Sequence, residues 1–153
     1  MTRQMITKGA ILEIHIDNKY YCYAQILEEG GYAFFDFRSN IKILDFTILL
    51  NVPILFILGV YSNVITQGHW LKVGKLEIRK DLKMQPMQFI RDSLNPGNFK
   101  FYNPNTGEIT PATKEECKDL ECAAVWDDEH VESRIKDYYN GVPNVWVEQL
   151  KIK

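Results

Sequence analysis

The sequence predicts an α+β fold: an antiparallel, partly barrel-like β-meander with one main C-terminal helix and a short helix packed against it. Three observations carry this. Residues 9–37 alternate and turn in the manner of three short strands, dense turn signals recur at 95–107, and the clearest helical periodicity waits until 128–140. The 153 residues are the usual size of one domain, and no linker, repeat or low-complexity tract divides them, so 1–153 is read as a single domain.

Along residues 9–16, Ala10, Leu12, Ile14 and Ile16 fall on one face and Ile11, Glu13 and His15 on the other, the pattern of a half-buried strand. Asp17-Asn18-Lys19 turns the chain into a second strand at 20–27, rich in aromatic and branched residues. Glu28-Glu29-Gly30-Gly31 then supplies the glycines of a positive-φ hairpin turn before a third strand at 32–37. Residues 46–61 are the greasiest stretch, but Asn51, Pro53 and Gly59 interrupt it, and it falls short of the ~20 apolar residues of a membrane helix. Proline suits the first residue of a strand, where no ladder donor is needed, so 53–61 is the fourth strand and 38–51 a connection holding a short helical turn.

Asn95-Pro96-Gly97-Asn98 and Asn103-Pro104-Asn105-Thr106-Gly107 bracket a hairpin strand at 99–102, with 108–110 as its mate. Thr113 and Glu116 make a capping box for a short helix to about residue 120. The main helix, 128–140, is capped by Asp127 and stopped by Gly141; Val131, Ile135, Tyr138 and Tyr139 form its apolar stripe and the opposite face is acidic. In 144–152, Val145, Val147 and Gln149 alternate with Trp146, Glu148 and Leu150, which reads as a closing strand.

Composition narrows the function. Cysteine is sparse and odd in number (Cys22, Cys117, Cys122), and residues 1–7 lack the apolar core of a signal peptide, so a reducing cytoplasm is expected. Residues 1–104 carry 12 Lys/Arg against 9 Asp/Glu, whereas 105–153 carry 6 against 11. The overall charge of −2 disfavours bulk nucleic-acid binding, and the acidic C-terminal part suits a basic partner or a solvated helix face. No glycine loop follows a strand in the manner of a phosphate cradle, and the spacing of Cys117 and Cys122 matches neither a zinc site nor a redox pair, so no cofactor or metal is expected. Among the histidines only His69, in Gly68-His69-Trp70, admits a catalytic reading, and no nucleophile sits in an activating turn beside it. The rings at Tyr20, Tyr21, Tyr23, Tyr32, Phe34, Phe35 and Phe37 could stack bases, but too few cations flank them, and core packing is the stronger reading.

The order of short patterns adds to this. Gly9 opening a strand, Tyr21-Cys22-Tyr23-Ala24-Gln25-Ile26-Leu27, Phe35-Asp36, Pro53-Ile54-Leu55-Phe56 and Gly68-His69-Trp70-Leu71-Lys72-Val73-Gly74 together resemble the immunity protein 26 family of bacterial polymorphic toxin systems. Ala24 stands where that family often has glycine. The likeness spans roughly residues 6–95 and marks Gly9, Tyr21, Tyr23, Asp36, Gly68, Trp70 and Gly74 as structural positions. It implies a small cytoplasmic protein, not an enzyme, that neutralises a cognate contact-dependent toxin by stoichiometric binding. A monomer is expected, with no nucleic acid or membrane as partner. Were the toxin a nuclease, its cleft would be basic, and the acidic residues Asp127, Asp128, Glu129 and Glu132, with Glu115 and Glu116 as a second spot, are the candidate contacts. The same carboxylates also favour helix N-termini for purely structural reasons. Trp70, between Gly68 and Gly74, is expected to be a buried anchor held over the barrel end by a tight reversal. The alternative is a small β-barrel module that binds nucleic acid or peptide, followed by a small hydrolase or transferase.

Overall fold

The computed structural model describes residues 3–152; Met1 and Thr2, part of the stretch read for a signal sequence, and Lys153 lie outside the described residues. Four strands follow one another as an antiparallel meander: β1 (Ala10–Ile16), β2 (Tyr20–Ile26), β3 (Tyr32–Ser39) and β4 (Ile54–Val60). The turns do what their residues allow. Asp17 and Asn18 both take positive φ, 51° and 56°, at the first hairpin, and Gly30 takes +83° at the second. The connection from β3 to β4 holds a 3-10 turn at Phe46–Asn51, capped by the Asp45 carboxylate, which accepts from the Thr47 N–H. A short helix α1 (Ser62–Thr66) then leads to β5 (Leu71–Lys75), which returns to pair with β1.

Beyond it come β6 (Gln88–Arg91), β7 (Phe99–Tyr102), β8 (Ile109–Ala112), helix α2 (Lys114–Cys117), β9 (Glu121–Cys122), β10 (Val125–Trp126), helix α3 (Asp128–Asn140) and helix α4 (Val145–Leu150). The strands form two open sheets rather than a closed barrel, ordered β10-β4-β3-β2-β1-β5 and β8-β7-β6-β9. Bulges in β2 and β3 bend the larger sheet without closing it. Pro111 blunts β8, the edge strand of the smaller one.

Both faces of the larger sheet are covered. On one face Leu12, Ile14, Ala24 and Phe34 pack against Trp70 and against Val131 and Ile135 of α3. On the other, Ile11, Tyr23 and Phe35 lie under Leu49 and Phe46 of the 3-10 segment. The half-buried reading of β1 is therefore corrected: Ile11 is fully buried, and Glu13 accepts a hydrogen bond from the Tyr23 hydroxyl at 2.9 Å. Only His15 on that face is exposed, stacked on Tyr21. The rings of Tyr23, Tyr32, Phe34 and Phe35 are core, so the aromatic meander does not present them as a stacking platform.

Residues 144–152 are not a strand. Asn144 caps α4 by accepting from the N–H groups of Trp146 and Val147, while its amide donates to Ser133 and Asp137 of α3. Trp146, Val147 and Leu150 then share one helical stripe against the core, which the alternation read as strand had concealed. The capping box of Thr113 and Glu116 is present, but α2 ends at Cys117 and packs on β7; the short helix that packs against α3 is α4. Among the described residues no helix is long and apolar enough to cross a membrane.

Candidate functional site

Four of the six acidic residues singled out above stand at the start of α3, and the family-like motif holds two of them, Asp128 and Glu132, in place. α3 begins with Asp127, whose carboxylate accepts from the His130 N–H at 2.9 Å, and ends at Gly141 with φ +68°. Val131 and Ile135 fasten the helix to the sheet, and on the flank beside them Asp128 and Glu132, one turn apart, meet the chain that follows α1. Gly68 takes φ +75°, so His69 and Trp70 turn back and both donate their N–H groups to the Val64 carbonyl. His69 Nδ1 lies 3.0 Å from Asp128 Oδ2, and Trp70 Nε1 donates to Glu132 Oε2 at 3.0 Å.

Trp70 is 1% exposed and packs edge-on against Phe34. Burial pushes the Glu132 carboxyl above its ordinary value; the Trp70 hydrogen bond pulls it back, and the neighbouring Asp128, Glu129 and Asp17 charges add to the upward push. Two of the four helix candidates are thus engaged inside the molecule. Asp127 is engaged as the cap, with His130 at 3.6 Å. Glu129 is exposed, with no ion pair or side-chain hydrogen bond among the described residues. The second acidic spot belongs to the other sheet's helix: Glu115 is paired with Lys118 at 2.9 Å, and Glu116 is spent in the capping box.

The remaining motif residues build the frame. Asp36 accepts from the hydroxyls of Tyr138 and Tyr139, tying the end of β3 to the last turn of α3. The Tyr23 hydroxyl bridges Glu13 and the Ile43 N–H, and burial lifts its pKa to about 12. Gly9, at φ +84°, donates to Ile26 and accepts from Leu76 where a Cβ would stand 2.9 Å from the Leu76 carbonyl. Gly74 corrects one expectation: it lies in β5, not in a reversal, and leaves the room that Phe46 fills, since a Cβ there would be 2.7 Å from the ring. Sequence reasoning also missed Arg134, which donates to Glu121 at 2.8 Å and stacks over Phe56 at 4.0 Å, binding α3 to β9 and β4.

Among the described residues no group of three or more His, Cys, Asp or Glu is placed to hold a metal ion. A family model described as immunity protein 26 matches residues 7–100. The chain belongs to the immunity protein 26 family. No curated protein and no solved structure matches it. Membership points to an immunity protein of toxin systems, with a toxin as partner and a role other than catalysis. The matched span ends within β7, so the family region carries His69 and Trp70, while the helix they grip comes from outside that span.

Proposed function

We propose that this protein neutralises the cognate toxin of a polymorphic, contact-dependent system by direct one-to-one binding in the cytoplasm, acting as a monomer and without turnover. The observation that supports this is the clamp from His69 and Trp70 to Asp128 and Glu132. A helix held at two points one turn apart loses little further freedom when a partner docks, which is the cost that a preformed inhibitor surface avoids. Its acidic first turns favour a basic target, such as a nuclease cleft, and steer its approach.

Reversing Asp128 and Glu132 would disturb the clamp together with the surface, so the test uses Glu129, which has no side-chain partner among the described residues, and Glu115, whose partner is the exposed Lys118 one turn on. Co-expression with the toxin domain encoded beside it should restore growth. Glu129→Lys should then weaken the purified complex, chiefly through slower association, and flatten its salt dependence. Failure of the unaltered chain to protect overturns the reading. Unchanged affinity and salt dependence in Glu129→Lys, and again in Glu115→Lys, removes the acidic face from it.

A further inference from the structure

Between the two sheets lies a cleft of about 370 Å³, walled by small residues (Gly31, Gly59, Ala123, Ala124) and far in character from the acidic helix. Gln85 sits in it. The residue is 6% exposed, and both its backbone groups are consumed by Asn105: its N–H donates to Asn105 Oδ1 at 2.8 Å, and its carbonyl accepts from Asn105 Nδ2 at 2.9 Å. Its carboxamide, by contrast, has no hydrogen-bond partner among the described residues. Among the described residues the sealed, unpaired side-chain atoms are Trp126 Nε1 and Arg134 Nη1, not those of Gln85, so its carboxamide keeps contact with solvent at the cleft and is open to a ligand there.

The neighbouring glycines divide two tasks. Gly30 makes the hairpin turn with positive φ and open space around it, whereas Gly31 has no such φ, and a Cβ there would meet the Gln85 carboxamide oxygen and displace that side chain from its place. The other polar residues on the lining are Gln88, Tyr102 and Glu29, and among the described residues no Lys or Arg lines the cleft. Amide and hydroxyl groups able to accept, one negative residue and an aromatic ring around one cleft suit a flat cation rich in donors, and do not suit a phosphate.

We infer that this cleft receives an arginine side chain of the protein partner, with Gln85 as its pinned acceptor. That the partner is a toxin rests on the function proposed above; the chemistry of the cleft does not. The first measurement is a titration of the full chain with methylguanidinium, followed through the side-chain amide NMR signals of Gln85 and Gln88. Saturable shifts are expected, with methylurea and acetate binding on the order of tenfold more weakly, as loss of a charged hydrogen bond dictates. Read through the Gln88 amide, Gln85→Leu should abolish the response, and Gln85→Glu, which keeps the shape and adds charge, should tighten methylguanidinium. No shift, an equal response to acetate, or no tightening in Gln85→Glu overturns the inference, as does an oligonucleotide that moves the same signals. In the toxin complex, Gln85→Leu should lower affinity about tenfold or more. Unchanged affinity for a toxin that the unaltered chain binds refutes the arginine site alone. Absence of any toxin binding refutes the proposed function and leaves the titration to decide the cleft.

Discussion

Replacing Glu132 by glutamine and by alanine separates the two things its carboxylate does. Oε2 accepts the indole N–H of Trp70 at 3.0 Å, and Trp70 is 1% exposed, so no water stands ready to replace the acceptor. Alanine leaves that N–H buried and unpaired, at a cost of ~1–3 kcal/mol. For a chain of this length the cost corresponds to melting roughly 2–12 °C lower. Glutamine keeps an oxygen in the same place and removes the charge. Because burial raises the folded-state pKa of Glu132 above its ordinary value of 4.5, the folded chain holds the proton more tightly than the unfolded one. That group therefore costs nothing well below 4.5, and its ionisation destabilises the fold increasingly as pH rises through the folded-state pKa. The expected order at neutral pH is glutamine equal to or above wild type, and both above alanine; the glutamine advantage should vanish in acid. Urea denaturation of the three proteins on both sides of the carboxylate range measures it. An alanine variant as stable as wild type, or a glutamine variant as weak as alanine, refutes the argument.

Trp70→Ala removes the largest fully buried side chain on the sheet face that carries α3, and should lower stability by ~3–5 kcal/mol in the same assay. A variant of undiminished stability that fails to protect against the toxin would instead make Trp70 a contact residue. Asp17 pairs with Lys136 at 2.7 Å, and this hydrogen bond holds its carboxyl below the ordinary 3.8. The pair's contribution to stability is present above that value and lost as pH falls through the lowered one. Lys136→Met should bring the carboxyl back up in a ¹³C NMR titration, and an Asp17 that titrates identically in both proteins would disprove the pairing in solution.

What was legible in the sequence is what neighbouring residues decide among themselves. The Asp17-Asn18 turn, the Gly30 hairpin, the Thr113/Glu116 capping box and the Gly141 stop depend on φ preferences or on hydrogen bonds within a few residues, and each formed where its residues stood. Alternation served less well, because a two-residue period and a short helical stripe are hard to tell apart over six residues: Val145–Leu150 became a helix once Asn144 found its partners on α3.

The site itself was legible only as a set of names. Gly68, Trp70 and the acids of α3 were marked from composition and resemblance, but the Trp70–Glu132 bond joins residues 62 apart in the chain, and no periodicity encodes it. The pairing of Gly31 with the Gln85 carboxamide is equally non-local, as is the division of the strands of the described residues between two sheets, where β9 and β10 are two residues each and exist only because β6 and β4 offer them an edge. The sequence by itself determined the fold class, the turns, the main helix and the family. The tertiary structure decided which carboxylates are free to meet a partner and which are spent holding the molecule together, because burial and hydrogen bonding belong to neighbours in space, and those are set only when the sheets and α3 have packed.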